Sequence, residues 1–193
     1  SSNIFLCNRL MNSYASCGLI DCAQDIFSGT KNRNLVSWTI LISGFTRNDL
    51  LIDAIKAFHE MILNYVRPNA TTISSILPAF AKLGLTRMGK SVHGYWIRQS
   101  CGRNVFVETA LVDMYMKIRC MNFARHIFDN MPDRNLVSWN SVILGYSDNG
   151  SGEEAFNLFN CMRRKGYSID VFTIMSLISA SLGVGDLSLA RVV

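Results

Sequence analysis

Between Glu60 and Glu108 the sequence contains no acidic residue. Arg67, Lys82, Arg87, Lys90, Arg98 and Arg103 fall in that gap and carry +6, which leaves −1 for the rest of a 193-residue chain of net charge +5. Such a block suits RNA phosphates, an acidic protein or plain solvation, and charge alone does not choose among them. A long apolar run is also missing. The longest uncharged apolar stretch, Val171 to Gly185, is too short for a bilayer and is interrupted by Thr173, Ser176, Ser179 and Ser181, so no membrane partner is expected.

Cys7, Cys17, Cys22, Cys101, Cys120 and Cys161 form no CxxC pair and share no spacing, which argues for scattered reduced thiols rather than disulfides or a metal site. Catalytic motifs fail one by one. His59, His93 and His126 lack the HxE and PCxxC partners of a zinc deaminase. Leu63 occupies the place of the second histidine of HExxH after His59-Glu60, and Gly183-Val184-Gly185 has no third glycine and no preceding strand. The expectation is a binding module, with no enzymatic activity, cofactor or metal. The start at Ser1 without Met and the stop at Val193 inside a repeat predict a segment of a longer chain, with a transit peptide or C-terminal domain elsewhere.

What the sequence has is internal repetition. Residues 3–61 recur at 104–162, with 19 of 59 positions identical. Both copies contain NLVSW, at 34–38 and 135–139, and a weaker echo pairs 69–92 with 170–193, including Thr72/Thr173, Ala79/Ala180, Gly84/Gly185 and Val92/Val193. Each 101-residue unit divides into sub-repeats of 31, 35 and 35 residues, each with two apolar-periodic segments around a short turn. Trp38, Leu41, Ile42 and Phe45 step at helical spacing, followed by Ala54, Ile55, Phe58, Met61 and Ile62; Trp139, Val142, Ile143 and Tyr146 repeat the pattern before Ala155, Phe156, Phe159 and Met162. No hairpin of this size stands alone, so the predicted fold is all-α: a right-handed α-solenoid of stacked helix-turn-helix hairpins whose first helices line one face, with both tryptophans in the core.

The segments NVFVETALVDMYMKIRCMNFARHIFDNMPDR at 104–134, NLVSWNSVILGYSDNGSGEEAFNLFNCMRRKGYSI at 135–169 and TTISSILPAFAKLGLTRMGKSVHGYWIRQS at 71–100 resemble the short, standard and long repeats of the pentatricopeptide repeat family, in the plant class that alternates them. The resemblance covers essentially the whole chain. It implies repeats at 4–34 (short), 35–69 (standard), 70–104 (long), 105–135 (short), 136–170 (standard) and 171–193 (partial long). It also implies single-stranded RNA as partner, one base per repeat, read by the fifth and last residues of each. The reading pairs are then Asn8/Asn34, Thr39/Asn69, Ser74/Asn104, Thr109/Asn135 and Asn140/Asp170, with Met175 opening a sixth.

Second positions, Phe5, Val36, Thr71, Phe106, Val137 and Phe172, would stack on bases, although Thr71 departs from the apolar pattern. The family's rules then give 5′-pyrimidine, A, any, A, U-3′. Bland alternatives remain at this point: early Asn and Thr residues cap helices, and each Phe packs between repeats. The expected role is target recognition for C-to-U RNA editing in a plastid (chloroplast) or mitochondrion, with accessory editing factors on the long repeats. Alternatives are transcript stabilisation or splicing, or a protein-interaction scaffold. Exposed ends of the array would favour dimerisation.

Overall fold

The computed structural model describes residues 3–99 and 102–184, the side chains of 179 and 182–184 excepted. Cys101 and the echo residues Gly185 and Val193 lie outside the described residues. The described residues form eleven α-helices and no strand: α1 (Ile4–Ser16), α2 (Ile20–Gly29), α3 (Leu35–Arg47), α4 (Leu51–Leu63), α5 (Ala70–Lys82), α6 (Thr86–Arg98), α7 (Val105–Lys117), α8 (Met121–Asn130), α9 (Leu136–Asp148), α10 (Gly152–Arg164) and α11 (Val171–Val184). They form two compact units that divide between Leu83 and Gly84.

In the first unit α1 packs on α2 and α3, and α3 packs on α4 and α5. The second unit repeats the scheme: α7 packs on α8 and α9, and α9 packs on α10 and α11. Within each unit the first helix of a hairpin therefore contacts its own second helix and the first helix of the next hairpin. This is the hairpin-on-hairpin packing of an α-solenoid. In the second unit α6 rests on α7 through His93, whose Nδ1 lies 3.0 Å from the Tyr115 hydroxyl. Burial pushes the Tyr115 hydroxyl up to about 12 and holds the His93 imidazole below its ordinary value.

The repeated peptide NLVSW, with the arginine before it, has a local explanation. Asn34 caps α3 in a reciprocal box with Ser37, and Asn135 caps α9 with Ser138 in the same way. Trp38 meets Phe27 edge-on at 4.7 Å, and Trp139 meets Phe128 at 4.8 Å. Both tryptophans are buried, and a buried aromatic of this kind contributes about 1.5–3 kcal/mol. Arg33 and Arg134 each donate to the last carbonyls of the preceding short helix, ending α2 and α8 without a left-handed residue.

First helices end differently. Gly18, Asp49, Gly84, Arg119 and Gly150 take positive φ just beyond α1, α3, α5, α7 and α9, and two of the five are not glycine. The apolar stripes read from the sequence are buried, or half-buried at Ile55 and Tyr146, with one exception: Ile62 was expected on the α4 stripe but is 47% exposed. It sits in the last turn of that helix, one residue past Met61, which takes the core position.

Candidate functional site

Three of the predicted reading pairs, Asn8/Asn34, Thr39/Asn69 and Asn140/Asp170, meet at the start of the following first helix. Asn34, Asn69, Asn104, Asn135 and Asp170 are N-terminal residues of the α3, α5, α7, α9 and α11 boundaries, and the first four are observed caps. Their side-chain oxygens accept from backbone amides that a helix start leaves unpaired. The capping alternative is thus correct for the last positions, and it does not compete with a second role, because capping fixes these side chains at the helix lip. Fifth positions are not caps; Asn8, Thr39 and Asn140 project from the second turn of the preceding first helix toward that lip.

Asn8 Nδ2 donates to Asn34 Oδ1 at 3.5 Å, and the Ser37 hydroxyl donates to Asn8 Oδ1 at 2.8 Å. Thr39 Oγ1 lies 2.7 Å from Thr72 Oγ1, which also donates to Asn69 Oδ1 at 2.9 Å. Asn140 Nδ2 donates to both Asp170 carboxylate oxygens, at 3.0 and 3.2 Å, while Thr173 Oγ1 lies 2.7 Å from Asn140 Oδ1 and from Asp170 Oδ1. The Thr173 amide donates to Asp170 at 2.8 Å and is the main reason its carboxyl lies below its ordinary value, with the Thr173 hydroxyl and the Asn140 amide acting in the same direction. Asp170 is therefore ionised near neutral pH and can only accept.

The remaining predicted readers are placed differently. Thr109 is buried and its hydroxyl has no hydrogen-bond partner; Ser138, at the matching lip, donates instead to the Asn135 carbonyl at 2.8 Å. Ser74 turns its hydroxyl back to the Thr71 carbonyl at 3.1 Å, and Asn104 caps the Phe106 and Val107 amides. Met175 is 61% exposed.

Second positions are on the surface. Phe5, Val36, Phe106, Val137 and Phe172 are 51% to 73% exposed, and Thr71 is exposed too. Large apolar side chains left in water at one repeated register are not packing residues, so the inter-repeat packing alternative does not hold for them. Between α1 and α3 a groove of about 680 Å³ is walled by Phe5 and Val36, floored by Asn8 and Asn34, and extended by Arg9 and Asn12. That volume is within the range of about 300–1,000 Å³ usual for small-molecule sites. Arg47 reaches its edge, donating to Asn12 Oδ1 at 3.5 Å.

The acid-free block is spread over several elements. Arg67 precedes α5, Lys82 ends α5, Arg87, Lys90 and Arg98 ride on the second helix α6, and Arg103 precedes α7. Lys82 pairs with Asp49 at 2.8 Å, Lys90 lies 5.0 Å from the Phe123 ring centre, and Arg103 donates to the Asn130 carbonyl. Of these six only Lys82 sits on a first helix. Two features escaped the sequence reading. One is the third-position hydroxyl at Ser37, Thr72 and Thr173; the other is the recurrence along the sequence of a cation, Arg47, Lys82 and Lys117, as the last residue of a first helix. The recurrence was legible as an even spacing of 35 residues, whereas the hydroxyls look like ordinary capping-box partners until the adjacent helix is present. Among the described residues no group of His, Cys, Asp or Glu is arranged to hold a metal, and none of the helices is long and apolar enough to cross a membrane.

The PPR repeat family profile matches residues 33–82 and 134–181, and the PPR repeat profile matches residues 5–35. The chain belongs to the pentatricopeptide repeat family. Its similarity to the pentatricopeptide repeat-containing protein At3g22150, chloroplastic, of Arabidopsis thaliana is 39% identity over 173 residues, covering 89% of this chain and 21% of that protein. The mitochondrial At1g06140 protein of the same plant is 36% identical over 182 residues, covering 94% of this chain and 33% of that protein. The chain therefore spans about a fifth to a third of the length of these relatives. Among solved folds, the pentatricopeptide repeat protein PPR10 in complex with an 18-nt psaJ RNA element superposes with a TM-score of 0.79 at 20% identity, over 96% of this chain and 28% of that one. The pentatricopeptide repeat domain of Arabidopsis thaliana protein-only RNase P 1, in complex with tRNA, gives 0.70 at 10% identity, over 94% of this chain and all of that domain.

Proposed function

We infer that this chain binds single-stranded RNA sequence-specifically, one base per repeat, as the target-recognition part of a plant organelle RNA-processing factor. The observation that carries this reading is the meeting of fifth and last residues at the helix lips, most completely Asn140 with Asp170, beside exposed second-position side chains. A flat base slots between two apolar faces such as Phe5 and Val36, while the floor offers amide and carboxylate groups to its edge. The repeats run in the alternating short, standard and long order over 4–34, 35–69, 70–104, 105–135, 136–170 and 171–193. The preferred core is 5′-pyrimidine, A, any, A, U-3′.

Arg47 and Lys117 join the acid-free block, to which Lys82 belongs, as phosphate contacts, so affinity falls with salt. RNA-bound relatives of the same fold and the chloroplastic and mitochondrial names of the relatives support an organelle role. C-to-U editing is the processing step we favour, with accessory factors meeting the long repeats. The test is selection from a randomised single-stranded RNA pool at moderate salt, with Asn140→Thr beside the parent chain. Enrichment of the core, with the uracil preference lost in the variant, supports the reading; retention indifferent to sequence refutes it in favour of a protein scaffold.

A further inference from the structure

Resting on that RNA-reading function, we propose that Thr72 and Thr173 are positioning residues that set what their reading pairs offer a base without touching the RNA themselves. Both side chains are wholly buried, so neither is open to a base. Each hydroxyl sits between a fifth-position and a last-position side chain belonging to neighbouring helices, at 2.7–2.9 Å from both.

A hydroxyl has one proton to give, and its direction decides the polarity of its neighbour. When Thr72 donates to Asn69 Oδ1, the Thr39 hydroxyl must donate to Thr72, and its lone pairs are left to serve as an acceptor. An exocyclic amino group, such as that of adenine, is the matching partner. At the second junction Asn140 has a carboxylate on one side and the Thr173 hydroxyl on the other. Its Nδ2 faces the carboxylate, which only accepts, and its Oδ1 faces the hydroxyl. When the Thr173 hydroxyl gives its one proton to Oδ1 rather than to Asp170, the amide is held in one orientation, with one N–H and one lone pair left over for a base that offers both an acceptor and a donor, as uracil does. Without the hydroxyl, Oδ1 loses its buried donor and the side chain gains freedom to rotate away.

The chain contains its own control. Thr39/Asn69 and Thr109/Asn135 are the same pair of residue types, yet only the first is bridged: Ser138 turns to the Asn135 carbonyl and leaves Thr109 unpaired. The second base of the core is therefore read more strictly than the fourth.

The experiment is the randomised-pool selection on the parent, Thr72→Val and Thr72→Ser, with thermal melting of each. A hydrogen bond of typical net worth sets the expected loss at about tenfold in preference for the second base in Thr72→Val, with other positions unchanged and Thr72→Ser restoring it. A parent that selects a core while Thr72→Val keeps its second-base preference overturns this proposal alone. A parent that selects no sequence overturns the RNA reading and the proposal with it. If Thr72→Val fails to fold, Thr173→Val poses the same question at the last base of the core, and an unchanged uracil preference there overturns the proposal.

Discussion

Arg134 lies over the ring of Phe128, its guanidinium carbon 4.9 Å from the ring centre, while its Nε donates to the carbonyl of the same residue at 3.0 Å. Arg33 stands over Phe27 in the same way, at 4.5 Å and 3.1 Å, 101 residues earlier in the chain. One side chain thus closes the short helix, complements its negative end and covers the aromatic that supports the next tryptophan. Arg134→Ala should cost about 1–2 kcal/mol by these combined losses, and Arg134→Lys should recover little of it, because an ammonium cannot serve two carbonyls while lying flat on a ring. Urea denaturation of the two variants checks this.

Asn149 fastens consecutive first helices. Its Nδ2 donates to the Met116 carbonyl of α7 at 3.1 Å and to the Gly145 carbonyl of α9 at 2.7 Å, and Asn48 does the same with Ala15 and Gly44. Asn149→Ala should lower stability by about 1–2 kcal/mol. Asn149→Asp should cost more at neutral pH, since a carboxylate would face two carbonyl oxygens, and part of that deficit should return in acid as the group is protonated. Melting curves at neutral and low pH separate the two variants.

These fastenings show what a sequence pattern transmits. Helices, stripes and hairpin order were legible because Trp38, Phe58, Trp139 and Phe159 recur at helical spacing and burial follows from spacing. Ile62 was misread for the same reason: periodicity carries a stripe to the end of a helix, while packing stops where the neighbouring helix stops. At the site, Asn140 and Asp170 were legible as a pair from the family resemblance and the repeat bounds it implies. Thr173 was not, because its second bond, to Asn140, spans 33 residues and depends on how two hairpins dock. The idle hydroxyl of Thr109 was invisible for a related reason: side-chain direction, not identity, distinguishes Ser138 from Ser37.

The imidazole of His93 makes the second unit sensitive to pH. Burial lowers its folded value below the ordinary 6.5, so the unfolded chain binds the proton more readily. Below about pH 6.5 the unfolded chain takes up this proton first, so stability declines as pH falls through that range. His93→Gln keeps a partner for the Tyr115 hydroxyl but cannot be protonated. It should flatten the dependence of melting temperature on pH between about 7 and 5.5, which titrated thermal melts would measure.

Thr109→Val separates stability from recognition. The hydroxyl it removes is buried and unpaired, so its loss should leave the melting temperature unchanged or slightly higher. The adenine preference at the fourth base should nevertheless disappear, because the only polar atom offered there by the fifth position is gone. Equal preference in Thr109→Val and the parent, measured in the same RNA selection, would show that Thr109 reads nothing.

Gly44 links packing to the groove. A Cβ added there would lie 2.9 Å from the Ala15 Cβ and 3.0 Å from Ile20 Cδ1, and one added at Gly145 would lie 2.5 Å from the Met116 Cβ, with the rest of that side chain also in the way. The Met116 Cγ and Sδ can turn aside, but a Cβ is fixed to its own backbone, so the Ala15 Cβ cannot yield without moving α1, nor the Met116 Cβ without moving α7. Gly44→Ala should therefore cost about 1–3 kcal/mol and Gly145→Ala at least as much. The first substitution also forces α1 from α3, and those helices carry Phe5 and Val36 on the two walls of the groove. A wider gap loses contact with a base of fixed thickness, so Gly44→Ala should weaken RNA binding even at temperatures where the protein remains folded, while Gly145→Ala should not weaken it at that groove. Affinity for an RNA carrying the selected core, measured well below both melting temperatures, tests whether helix spacing sets the fit of the first base.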